Sequence, residues 1–298
     1  ARWIDARRQG GAAVFTIMQC PSQLPAEARL PMNKLNLVSL DGTRPQQCGD
    51  CRDGGVLDFA FSYAYHPIID VRSRTVFAHE ALVRGPAGEG AMSVLARVND
   101  SNRYHFDQAC RVKAIEIAAR LGMQSRLSIN FLPNAIYRPE VCIRTTLQAA
   151  RDHGFPVEQI IFETVESEQV NDGNWLSQVF REYRRIGFMT AIDDFGAGYA
   201  GLTLLADFQP DIVKLDMALV RGVEQKRASR IIVANVARMC DELGVKVIAE
   251  GVETAAELAC LQDMGVHLVQ GYLFGQPRFE QCVHDIAEVW PAGVPFSS

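Results

Sequence analysis

The 298-residue chain has no apolar run approaching the roughly 20 residues that a membrane-crossing helix needs. It also lacks a basic excess. Thirty lysines and arginines face 35 aspartates and glutamates, giving a formal net charge of −5. That balance argues against a broad cationic face for gripping DNA or RNA polymers. An anionic ligand would need local cations, either metal ions or a few arginines. Residues 1–5 carry no apolar secretory core, so a cytoplasmic location is expected. The eight cysteines are scattered, with Cys110, Cys240 and Cys260 inside helical patterns, which fits reduced thiols better than a disulfide framework. Cys48 and Cys51 form the one close pair, and no second pair stands at zinc-binding spacing. Residues 1–55 hold Pro21, Pro25, Pro31 and Pro45 and no sustained period. They are expected to be a poorly ordered extension or linker ahead of one domain at 56–298.

From residue 59 the texture becomes regular. Strands are expected at 59–71, 76–84, 127–131, 160–166, 188–192, 212–216, 246–250 and 268–274. Helices are expected at 103–121, 139–153, 174–186, 226–243, from Thr254 to Gly265, and at 279–289. Gly122, Gly154 and Gly187 stand where helices should stop, and Thr254 with Glu257 reads as a capping box. In the 226–243 helix, Ile232, Val236, Cys240 and Leu243 fall on one face. The strands are mostly continuous apolar runs, as in a parallel sheet covered on both sides. Alternation over about 240 residues fits a TIM-like (β/α)8 barrel. A doubly wound open sheet is disfavoured, since no G-x-G-x-x-G follows an early strand.

A barrel of that type places its active site at the carboxyl ends of its strands. Those ends carry Glu80, Asn130, Glu163 with Glu166, Asp193 with Asp194, Lys214 with Asp216, Glu250 and Gln270. Each alone has a dull explanation as a cap or a surface acid, but seven successive strands ending this way do not. A ring of carboxylates and one amide oxygen suits a hard cation such as Mg2+ or Mn2+ rather than zinc. The acids outnumber the needs of one ion, and two ions could activate a water and clamp a phosphoryl oxygen. Asp193 and Asp194 are adjacent, so on a regular strand they would face opposite ways. Both can serve one opening only where the strand relaxes into the loop that holds Gly196 and Gly198. Arg84, four residues past Glu80, offers a planar fork for a phosphate. Lys214, between Val213 and Leu215, could orient a water or help to deprotonate it.

These motifs together resemble the EAL domain family, bacterial phosphodiesterases that linearise cyclic di-GMP. The resemblance rests on residues 80–84 (Glu-Ala-Leu-Val-Arg), 128–130, 163–167, 193–199, 214–216, 249–253 and 270–274, and covers about 59–290. It implies metal ligands at Glu80, Asn130, Glu163, Asp193, Asp194 and Glu250, and a catalytic role for Lys214 and Glu250. Substrate contacts are implied at Arg84, His66, Leu82 and Gln270. Glu166, Asp216 and Glu253 would support the ligands or the loop after Asp194. It further implies one antiparallel strand, a pair of Mg2+ or Mn2+ ions with Ca2+ inhibitory, and a homodimer in which Glu166 tethers that loop. The chain departs from the family at His66-Pro67-Ile68, where Gln-Pro-Ile is usual. It also has Gly85 where tryptophan is common, Glu-Thr-Val-Glu from Glu163, and Ala197 and Ala200 in the loop. None of these removes a ligand or the lysine, so catalytic competence is expected. No GGDEF-type cyclase motif accompanies the domain.

Overall fold

The structure is a computed structural model that describes residues 57–294 apart from 134, 135, 137, 166–172 and 198–200. The expectations for residues 1–55, the Cys48/Cys51 pair, Glu166 and Tyr199 lie outside the described residues.

The chain opens with β1 (Ser62–Asp70) and β2 (Thr75–Arg84), then α1 (Met92–Leu95) and α2 (Arg103–Arg120). It continues through β3 (Arg126–Asn130), α3 (Pro139–Cys142), α4 (Arg144–Asp152), β4 (Ile160–Val165) and α5 (Gly173–Ile186). Next come β5 (Met189–Phe195), α6 (Gly201–Asp207), β6 (Ile212–Leu215), α7 (Met217–Val220) and α8 (Arg227–Glu242). The last elements are β7 (Lys246–Ala249), α9 (Ala255–Asp263), β8 (Leu268–Gln270) and β9 (Arg278–Phe279). Strands β2 to β8 pair in order and in parallel, and β1 closes the ring by pairing antiparallel with both β2 and β8. The fold is therefore the TIM-like barrel with an antiparallel strand. The two-residue β9 pairs antiparallel with β1 at Ala64 and Tyr65, nearer the start of β1 than the contact with β8. Among the described residues, no helix is long and apolar enough to cross a membrane.

Strand alternation sorts the interior. Ile68, Phe77, Ala78, Ile161, Ala191, Ile212, Ile248 and Leu268 form a cluster of their own, separate from the shell between strands and helices. Side chains two residues apart on a strand share a face. Moving from Ala78, Ile161, Ala191, Ile212, Ile248 and Leu268 to the next residue on that face gives Glu80, Glu163, Asp193, Lys214, Glu250 and Gln270. On the reversed β1 the corresponding step runs from Ile68 back to His66. An apolar plug thus underlies a polar layer.

Four expectations are corrected. The helix at 139–153 is interrupted at Ile143, whose ψ of −13° tightens the turn between α3 and α4. The strand at 268–274 stops at Gln270. A Cβ on Gly271 would stand 2.1 Å from the Val252 carbonyl oxygen, and the chain there leaves the sheet so that Leu273 N–H can donate to that carbonyl. No helix forms at 279–289. Phe279 pairs with Ala64, Glu280 takes a φ of +46°, and Val283 N–H donates to His79, leaving one 3-10 turn at Ile286–Glu288. Tertiary partners outbid a helical apolar spacing there. On α8 the buried stripe is Val233, Ala237 and Cys240, while Ile232 and Leu243 are exposed. The smaller residues allow close approach to the barrel. The short helices α1, α6 and α7 lie outside the elements expected from the sequence. The capping box at Thr254 and Glu257 forms with both of its bonds.

Candidate active site

The polar layer holds five carboxylates around one ammonium. Lys214, 1% exposed, places Nζ 2.7 Å from Glu250 Oε1, 3.1 Å from Asp193 Oδ1, 3.2 Å from Glu163 Oε2 and 3.9 Å from Glu80 Oε2. Asn130 Nδ2 donates to Glu163 Oε1 at 2.9 Å and Glu80 Oε1 at 3.3 Å, and Gln270 Nε2 donates to Glu80 Oε2 at 2.8 Å. Ser128 Oγ donates to Glu163 Oε2 at 2.8 Å. Ser128 has no assigned role among the sequence expectations. The two-residue spacing to Asn130 was the signal that could have found it.

Both aspartates reach this opening because β5 is bulged. Its pairing with β6 slips between Ile192 and Phe195, and Asp194 adopts a left-handed φ of +53°. Aspartate tolerates that region better than most residues, and the Asp194 N–H donates to Asp193 Oδ1 at 2.9 Å. The strand runs on through both acids to Phe195. Two groups of carboxylates result, Glu80 with Glu163 and Asp193, and Asp193 with Asp194 and Glu250. Within each, oxygens lie within 4.8 Å of one another, and Asp193 belongs to both.

The charges do not balance. Burial drives the Asp193, Asp194, Glu163 and Glu250 carboxyls upward, and mutual repulsion adds to it, taking Asp194 to about 9 and Glu250 to about 8. Burial also opposes ionised Glu80, but Lys214, Gln270 and His66 overcome it and hold that carboxyl low. Burial disfavours charged Lys214 too, yet Asp193, Glu163, Glu250 and Glu80 raise its pKa well above that of a free lysine. One ammonium cannot compensate five acids. Oxygen-only donors that one ammonium cannot keep ionised together suit a divalent hard cation.

Around the mouth, Arg84 is half-buried and donates from Nη1 to the Val83 carbonyl at 2.8 Å. His66 Nε2 lies 3.1 Å from the Gly275 carbonyl, and burial lowers its pKa to about 4. Leu82 is buried on the same strand as Glu80. Asp216 is buried and its charge helps to raise the Asp194 pKa. The Asp216 side chain caps α7 through Ala218 N–H, and Glu253 pairs with Arg221 at the surface.

The sequence model of the EAL domain matches residues 57–277. The chain belongs to the EAL domain family. A standalone versatile EAL protein from Vibrio cholerae O395, solved in its c-di-GMP bound form, is 53% identical. The match has a TM-score of 0.73 and covers 76% of this chain and 95% of that one. The Escherichia coli K12 blue light- and temperature-regulated antirepressor BluF is 30% identical over 217 residues, 72% of this chain and 54% of BluF. The probable cyclic di-GMP phosphodiesterase PdeA of the same strain is 31% identical over 216 residues, 66% of this chain and 30% of PdeA. This EAL chain thus spans about half the length, or less, of these two curated relatives.

Proposed function

We propose that this EAL domain hydrolyses one phosphodiester bond of cyclic di-GMP to give linear pGpG, lowering a bacterial second messenger in the cytoplasm. The observation that carries this reading is the buried acid layer, in which all six expected ligands and the lysine converge. Glu80, Asn130, Glu163, Asp193, Asp194 and Glu250 would hold two Mg2+ or Mn2+ ions, with Asp193 shared. Such ions acidify bound water and neutralise charge on phosphoryl oxygens. Asn130 would turn its amide over, because only Oδ1 can ligate and Nδ2 now faces the carboxylates. Lys214 would orient the attacking water and hold a proton at Nζ, with Glu250 beside it. Arg84 at the mouth would hold a phosphate oxygen bidentately, and His66, Leu82 and Gln270 would line the substrate side. Homodimer formation goes with this reading and is measurable by sedimentation.

The kinship with an antirepressor favours a second reading, a non-catalytic receptor or interaction module. The two separate by metal identity. Protein, cyclic di-GMP and Mg2+, Mn2+ or Ca2+ are incubated and the products resolved chromatographically. Ca2+ is larger and takes longer contacts with more ligands. An enzyme should therefore bind substrate with all three ions but form pGpG only with Mg2+ or Mn2+. Binding with all three and cleavage with none would establish the receptor reading.

A further inference from the structure

Outside the barrel an ion pair is sealed into the protein. Asp107 and Arg111 stand one turn apart on α2, 3% and 1% exposed, and are bonded to each other. Taking such charges out of water costs several kcal/mol per ion, and a well-packed apolar pair is often at least as stable. The contacts of the pair show what it does beyond packing. Asp107 Oδ1 accepts the Leu132 N–H at 3.0 Å, and Leu132 lies two residues beyond Asn130, where β3 has ended. The Arg111 guanidinium stands 6.0 Å from the ring centroid of Phe162, the residue before Glu163. Its Nη1 donates to Tyr183 Oη at 3.4 Å, and the Tyr183 ring packs on Phe162 and Phe131 with centroids 4.9 and 5.7 Å away. Phe131 N–H in turn donates to the Glu163 carbonyl at 3.0 Å. One buried pair therefore touches the chain next to two residues of the polar layer, which are themselves bonded at 2.9 Å.

We infer that Asp107, held by Arg111, is a positioning residue for Asn130: by anchoring the Leu132 amide it sets the end of β3 so that Asn130 and Glu163 face one cation together. This rests on the metal-binding reading above. Without the anchor, the chain past Asn130 keeps the Phe131 bond to β4 but loses its tie to α2. Asn130 would then sample positions in which its amide cannot share an ion with Glu163.

The test is Mn2+ titration of the purified protein, followed by electron paramagnetic resonance of the free ion, with thermal unfolding alongside. Two double variants are compared with wild type. Asp107→Asn/Arg111→Met removes both charges but keeps an oxygen for Leu132 N–H. Asp107→Leu/Arg111→Met removes the charges and the oxygen. The first should bind Mn2+ within about 3-fold of wild type, and the second roughly 10- to 100-fold more weakly, as for loss of outer support to a metal ligand. If the leucine variant does not fold, Asp107→Ala with Arg111→Met removes the same oxygen and carries the same expectation. Equal Mn2+ affinity in all three proteins overturns the inference. So does equal weakening of both variants in step with their melting temperatures, since that marks a structural role only. Wild type that binds no Mn2+ overturns the metal reading itself, and the positioning role with it.

Discussion

Two layers of the barrel interior share six strands and differ in chemistry. The lower one is Ile68, Ala78, Ile161, Ala191, Ile212, Ile248 and Leu268 with Phe77, held by burial and packing alone. The upper one, reached by a single step of strand alternation, contains Glu80, Glu163, Asp193, Lys214, Glu250 and Gln270. The plug stabilises whether or not a ligand is present. In the acid layer the repulsion among carboxylates is offset by one lysine and a few amide donors, so its stability should respond to a cation bound there. Stability and chemistry are thereby separated by about one pleat.

The largest effect that separates the layers should come from Asp193→Ala, which removes the acid shared by both ligand groups and almost no apolar volume. Cyclic di-GMP hydrolysis should fall at least about 10³-fold, as expected when several kcal/mol of charge stabilisation is lost. Far-ultraviolet circular dichroism should be unchanged. A rate near wild type at saturating Mn2+ would exclude Asp193 as a ligand.

Lys214→Met comes next. It removes the one ammonium from among the acids, and metal-free stability should drop by about 3–5 kcal/mol, as when one partner of a buried pair is deleted. Excess Mg2+ should restore most of that loss, while kcat stays roughly 10²-fold down for want of proton handling. Denaturant melts with and without Mg2+ measure the first effect. No rescue would mean that cation and lysine do not share the same acids.

In the plug, Ile161→Ala should cost about 2–4 kcal/mol by cavity formation. Its kcat per folded molecule should stay within about 3-fold, and Mg2+ should not repair the lost stability beyond what it gives wild type. A plug variant that loses activity while folded would break the separation of the layers.

The smallest effect is one of pH. Asp194 at about 9 and Glu250 at about 8 stand above their unfolded values near 4. Between those limits the unfolded chain binds fewer protons than the folded one, so metal-free stability should fall as pH rises. From pH 7 to 9 the melting temperature of the metal-free protein should drop by several degrees, as expected when a domain of this size loses a few kcal/mol. Excess Mg2+ should flatten the slope. His79 works in the opposite sense and in another window. Burial lowers it to about 3, so its cost appears only as pH falls below about 6.5. A flat metal-free profile above pH 7 would mean that the acid layer stays ionised without a cation.

By itself the sequence pointed to a barrel, to the succession of its strands along the chain, and to the polar residues at most of their ends. Those features are local, since alternation fixes what faces inward and glycine, proline and the Thr254 cap mark where helices start or stop. It also carried the apolar-to-polar step from Ile161 to Glu163 and its counterparts, which depends only on period two. Tertiary structure alone decided the rest. The left-handed Asp194 exists because β5 slips against β6, and register between strands far apart in sequence is not written in either strand. Lys214 is central because four other strands aim their acids at it. The Asp107–Arg111 pair gains its meaning from Leu132 and Phe162, which a helical pattern on α2 cannot reveal. The segment after Phe279 has a helical apolar spacing and is not a helix, because β1 and His79 offer its backbone better partners than it could offer itself.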